Sequence, residues 1–176
     1  GVSVGALADV TATSFFPAKP LGCYGDGGAI FTDDNERADI LRSIRAHGKG
    51  GAKYDIVRVG VNGRLDTLQA AILLAKMTRF KEVRDAREDL AAYYDSRLGN
   101  LVDTPRRVEG SRSAWAQYSI LLDNRDDVAA ALKEKGVPTA IYYPLPMHLQ
   151  SAYREFGDGI GSMPVSESLS KRILSL

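Results

Sequence analysis

Residues 14–32 read SFFPAKPLGCYGDGGAIFT. One lysine, Lys19, stands among aromatic, proline and glycine residues, although lysine is rarely fully buried unless it is paired. Pro17 and Pro20, with Gly22, Gly25, Gly27 and Gly28, exclude a helix here. The stretch therefore divides into a strand from Thr11 to Phe16, a loop around Lys19, and a second strand from Ala29 to Thr32. The local residues leave two readings of Lys19 open. It is a loop lysine with its head in water, or its amine has a chemical task.

Lysine in water has a pKa near ~10.4 and is not nucleophilic at neutral pH. An apolar, dehydrated setting disfavours the ammonium, and a lysine so placed can form a Schiff base with a carbonyl compound. Pyridoxal phosphate is a cofactor used in this way. Ser14, five residues earlier, offers a hydroxyl for a cofactor phosphate, with Thr11 and Thr13 as rivals; the plain alternative is a strand-end serine in a backbone turn. Gly25, Gly27 and Gly28 bracket Asp26, which suits a turn. Their spacing matches neither GxGxxG nor a P-loop.

Outward from this stretch, DDNERADILRSIRAHG predicts a helix capped by Asp33 or Asp34, with Ile40, Leu41 and Ile44 on one face and Gly48 at its end. His47 is expected at the helix C-terminus, where the dipole favours it. A glycine-rich loop follows over residues 49–63, then one long helical pattern from about Leu65 to Leu98, with Leu68, Ala71, Ile72 and Ala75 at core spacing. Its apolar first half and charged second half suit a connector between two domains. Trp115–Leu122 reads as a strand, Asp126–Lys135 as a helix stopped by Gly136, and Pro138–Tyr143 as another strand. Ser166–Leu176 begins a further helix. The expected domains are 1–80 and 81–176, the second a smaller α/β unit.

Two more segments hold chemistry-bearing residues. In GVNGRLDTLQAA, residues 60–71, Asn62 and Arg64 precede a helix N-terminus, which favours anions; an arginine adds a bidentate fork for carboxylate or phosphate. The alternative is that Asp66 or Asn62 caps the helix and Arg64 is solvated. In YYPLPMHLQ, residues 142–150, Tyr142, Tyr143 and His148 surround a proline-stiffened loop and are candidates to line a pocket, though a lone histidine is more often structural. No Cys/His cluster has zinc spacing, and no GxSxG elbow is present.

The totals set the class. The chain has 176 residues, 44% hydrophobic and 26% charged, with net charge +1. These are ordinary values for a globular protein, with no general attraction to nucleic acid or anionic membrane. A single cysteine, Cys23, excludes an intrachain disulfide and suits a reducing, cytoplasmic setting. No apolar run approaches the ~20 residues of a membrane helix. The chain begins without methionine and ends inside the apolar run RILSL, so a fragment is expected.

Taken together, SFFPAKPLGCYGDGGAIFT, IRAHGKGG, GVNGRLDTLQAAILLAKM, SAWAQYSILL, GVPTAIYYPLPMHLQ and RILSL resemble the DegT/DnrJ/EryC1/StrS sugar-nucleotide aminotransferases, in that family's order and at about its spacing. The resemblance implies a fold-type I α/β pyridoxal-phosphate enzyme, of which this chain is the end of the large domain, the connecting helix and most of the small domain. It implies that Lys19 joins the cofactor covalently and then shuttles a proton between substrate and cofactor. Ser14 holds the cofactor phosphate, and Asn62 reaches the phosphate of a neighbouring subunit's cofactor, with Arg64 also facing that partner's site, in a homodimer with shared sites.

The form KPLG, with YPLPMHLQ, is most similar to UDP-2-acetamido-2-deoxy-3-oxo-glucuronate aminotransferases, in which the arginine matching Arg64 meets the uronate carboxylate. The chain departs from them at Tyr142, where histidine precedes tyrosine. The amino donor expected is glutamate and the acceptor a nucleotide-linked keto-sugar of cell-surface polysaccharide synthesis. The alternatives are a 4-keto-6-deoxyhexose aminotransferase or a non-catalytic regulatory or binding protein of the same fold. Lys19 argues against the family's dehydratases, which carry histidine there. The resemblance also implies that the phosphate turn, the ring stacked on the cofactor and the aspartate on its pyridinium nitrogen lie outside these residues, so that the fragment alone is inactive.

Overall fold

The computed structural model describes residues 2–52 and 54–176. Gly1, and Lys53 in the expected 49–63 loop, lie outside the described residues. The chain forms two compact units, Gly1–Asp85 and Ala86–Leu176.

In the first unit, β1 (Thr11–Ser14) pairs antiparallel with β2 (Gly28–Phe31), in a register that sets Thr11 opposite Phe31 and Ser14 opposite Gly28. The Lys19 loop is therefore the connection of a hairpin. A Cβ on Gly28 would sit 2.8 Å from the Thr13 carbonyl oxygen, so the close strand approach needs glycine there. Helix α1 (Asn35–Ile44) starts at Asp34, whose carboxylate accepts from the Arg37 N–H at 3.1 Å. His47 lies beyond that helix at φ 66°, its N–H bonded to the Val61 carbonyl.

The expected continuous helix is two helices, α2 (Thr67–Met77) and α3 (Phe80–Leu98). The break falls at Thr78, whose hydroxyl donates to the Ala75 carbonyl at 2.8 Å, and the Arg79 N–H turns back to the Lys76 carbonyl. Such local bonds compete with the helical ladder. The buried position of α2 is Leu73, whereas Leu68 is 78% exposed, contrary to the expected core spacing.

The second unit is built on the later turns of α3. Ala91 is buried with Tyr118, Ile120, Leu122 and Leu174. The strand expected from Trp115 is only β3 (Ser119–Leu121), because Trp115 has φ 45°, a conformation that no strand residue adopts. Helix α4 (Arg125–Glu134) ends before Gly136, at φ 74°. The strand expected over Pro138–Tyr143 is a single bridge, Ala140 to Ser175.

Helix α5 (Pro164–Arg172) stops short of the chain end, and the expected helical tail is instead β4 (Ile173–Ser175), antiparallel to β3. Buried Arg125 explains the switch, since its guanidinium donates to the carbonyls of Ser170 and Ile173 at 3.3 and 3.1 Å. It satisfies carbonyls that the helix end leaves without intrahelical partners.

Candidate active site

Lys19 sits at the tip of the β1–β2 connection, exposed, with its N–H bonded to the Phe16 carbonyl at 2.8 Å. Its side chain has no partner among the described residues. Phe15 closes the base of the loop: its N–H donates to Gly27, and its carbonyl accepts from the Cys23 N–H and thiol. A Cβ on Gly22 would lie 2.6 Å from the Pro17 carbonyl oxygen, so the chain folds back tightly on itself just after the lysine. The loop is thus a closed noose that presents one amine. Ser14, at the end of β1, accepts from the Phe16 N–H through Oγ at 3.2 Å, which leaves its own O–H free to donate.

Asn62 and Arg64 are brought together. Asn62 pairs with Ala46 in a β-bridge, and its Oδ1 accepts from Arg64 Nε at 3.1 Å. That bond occupies one edge of the guanidinium, and both side chains are exposed. Neither Asn62 nor Asp66 caps α2 through its side chain; Asp66 holds the N-cap position without a side-chain bond. A bidentate fork on an exposed loop beside a helix start suits an anionic group.

The other candidates lie in the second unit. The Tyr142 and Tyr143 rings meet edge to face at 5.4 Å, and both are exposed. His148 differs: its side chain is only 10% exposed, with Nε2 3.1 Å from Glu167 Oε1. Glu167 went unread in the sequence. Its carboxylate also accepts from the Gly161 and Met163 N–H groups, tying residues 161–163 to α5. Burial pushes the Glu167 carboxyl up, but the Gly161, His148 and Met163 bonds outweigh it and hold it below its ordinary value of 4.5.

A carboxyl lowered in the folded state adds stability that is fully present above its unfolded pKa and is lost as pH falls through the folded value. Thermal melts from about pH 6 to about pH 3 should therefore show a steeper acid-side loss for wild type than for Glu167→Gln. Parallel curves would remove this carboxylate from the acid response.

A polar network fixes the entry to β3. Tyr118 donates through its hydroxyl to Asp95 at 2.6 Å, Trp115 Nε1 donates to Glu88 at 2.6 Å, and Arg107 pairs with both acids. Burial and the Asp95 bond push the Tyr118 phenol up to about 12, so it remains a neutral donor.

The first unit's donor set fits a phosphate-bearing aldehyde. A solvent-facing primary amine and a hydroxyl with a free proton flank one hairpin loop, and an amide–guanidinium pair stands on the lead-in to α2. No group of three or more acidic, histidine or cysteine side chains among the described residues could hold a metal ion. None of the described helices is long and apolar enough to cross a membrane.

Comparison with known proteins agrees with this chemistry. The chain is 48% identical over 171 residues to the UDP-2-acetamido-2-deoxy-3-oxo-D-glucuronate aminotransferase of Pseudomonas aeruginosa, covering 97% of this chain and 46% of that protein. It thus spans about half the length of the curated relatives it matches. The crystal structure of a DegT DnrJ EryC1 StrS aminotransferase from Brucella abortus superposes with a TM-score of 0.92 at 55% identity, over 96% of this chain and 45% of that one. NtdA of Bacillus subtilis, solved with bound cofactor PMP, superposes with a TM-score of 0.86 at 29% identity, over 98% and 42%. The profile of one family matches residues 1–176: the chain belongs to the DegT/DnrJ/EryC1/StrS aminotransferase family.

Proposed function

We propose that the protein carrying this chain is a pyridoxal-phosphate-dependent aminotransferase that moves an amino group from glutamate to the keto carbon of a nucleotide-linked sugar, a UDP-3-keto-N-acetylhexuronate. The observation that carries this is the match of residues 1–176 to an aminotransferase family, with Lys19 on a loop closed by its own backbone and its side chain without a partner among the described residues; its solvent exposure by itself fits either reading of the lysine. Residues 1–80 are then the end of the cofactor-holding domain and 81–176 the helix continuation and small domain.

Bound pyridoxal phosphate supplies a carbonyl for attachment and an electron sink for the carbon that loses its proton. Lys19 would provide the amine for that attachment and would act as the general base that takes and returns the proton. Ser14 would donate a hydrogen bond through its hydroxyl to the cofactor phosphate. Asn62 reaches the phosphate of the second subunit's site, and Arg64 meets the sugar carboxylate. Tyr142 and Tyr143, exposed on the second unit, are available to a substrate, whereas His148 is buried against Glu167. A homodimer with shared sites is part of this reading. The single, buried free thiol of Cys23 suits the cytoplasm.

Arg64→Ala tests the substrate class. A charge-assisted, bidentate contact is worth roughly tenfold to a hundredfold in kcat/KM. That loss is expected for the uronate, while a neutral keto-sugar of the same nucleotide changes by less than about threefold. Equal loss on both substrates would exclude the carboxylate role.

A further inference from the structure

Helix α2 grips the lysine loop at two points one heptad apart. Gln69 Oε1 accepts from the Tyr24 N–H at 2.8 Å. Lys76 Nζ donates to the Gly22 carbonyl at 2.6 Å and stands 4.7 Å from the centre of the Tyr24 ring. Seven residues make two helical turns, so both side chains leave the same face of α2. Between the two grips Cys23 is fully buried, and its thiol reaches the Phe15 and Gly25 carbonyls at 2.9 and 3.0 Å.

The joint has little slack. A Cβ on Gly25 would lie 3.2 Å from Gln69 Nε2, and one on Gly27 would lie 2.8 Å from Cys23 Sγ. The segment that follows Lys19 is thus held by its own backbone on one side and by α2 on the other. Asn62 and Arg64 lie on the lead-in to that same helix.

Resting on the aminotransferase function above, we propose that Gln69 and Lys76 are positioning residues for Lys19. They hold residues 22–24 against α2 and so set where the Lys19 amine stands at the tip of the β1–β2 connection. Neither touches the reacting atoms; both act through the backbone of the lysine loop. A merely structural pair would lower the melting temperature of the apo protein and leave the folded protein's amine as reactive as before. A positioning pair alters attachment at temperatures where every variant is folded, because a misplacement of about 1 Å can cost on the order of a hundredfold.

The test adds pyridoxal phosphate to the apo form of the protein carrying this chain and follows covalent attachment at Lys19. In that step the amine nitrogen bonds to the aldehyde carbon and water leaves; borohydride reduction and peptide mass then locate the product. Lys76→Met and Gln69→Leu are expected to slow attachment by about tenfold to a hundredfold. Lys76→Arg, which keeps a charged donor, and Gln69→Glu, which keeps the acceptor, are expected to recover most of the rate. If Lys76→Met fails to fold, Lys76→Gln reads the same rate. Attachment at the wild-type rate in the folded variants overturns the positioning role and leaves the aminotransferase function standing. Wild-type protein that traps no cofactor at Lys19 overturns both.

Discussion

Lys19→Ala is expected to end covalent cofactor attachment and to lower transamination by about 10²–10⁴-fold from the lost proton transfer alone, without unfolding the protein. The loss is specific because Lys19 is exposed and its side chain holds nothing among the described residues. Its removal breaks no fold contact, and a surface change of that kind stays within about 0.5 kcal/mol. Melting curves of the apo forms of wild type and variant should therefore overlay, while the absorbance of the attached cofactor disappears in the variant given pyridoxal phosphate. Lys19→Arg separates charge from chemistry, since it keeps a cation but guanidinium does not lose its proton near neutrality. Normal turnover in Lys19→Ala would exclude the lysine from the reaction. A large drop in melting temperature would instead make it a structural residue.

The hairpin around Lys19 and helix α1 were legible because their signals are local. Proline and glycine mark the loop, and the Asp34 cap lies three residues from the N–H it accepts. Helix α4 was equally readable from its run of helix formers and Gly136. The break between α2 and α3 was not, because Thr78 carries no proline or glycine signal and acts through its hydroxyl on Ala75. The C-terminal run RILSL continues a helical pattern in composition. Its turn into β4 depends on Arg125, 45 and 48 residues away from the carbonyls it meets.

Distance in sequence also explains what was missed at the candidate site. Lys19, Asn62 and Arg64 stand out by residue type beside glycines. Gln69 lies inside the quoted segment GVNGRLDTLQAA, yet helical spacing counts it only as a polar position among apolar ones. The contact from Lys76 to Gly22 spans 54 residues, and periodicity carries no information on such a pair. His148 was placed among substrate residues by its loop. Its partner Glu167 lies 19 residues on, in a helix whose face could be assigned only once β4 was seen to follow it.

Leu174→Ala is expected to destabilise the second unit by about 2–5 kcal/mol, the usual cost of truncating a buried leucine. Leu174 is fully buried, at 0% exposure, in a cluster with Ala91, Tyr118, Ile120 and Leu122. On β4 it stands opposite Ile120 of β3, in a strand of only three residues. A sheet that short has few backbone bonds, so its stability rests on the side chains it buries. At roughly 4–8 °C per kcal/mol for a unit of this size, the melting transition should fall by at least about 8 °C. Leu169→Ala, on the more exposed face of α5, serves as the matched control and should shift it by far less. The effect should reach the tyrosine loop, because Ala140, two residues before Tyr142, bonds in both directions with Ser175, the neighbour of Leu174. Amide exchange at Ala140 should accelerate with the melting loss. If Leu174→Ala melts like Leu169→Ala, β4 does not seal this core, and the order of Tyr142 and Tyr143 must come from somewhere other than the sheet.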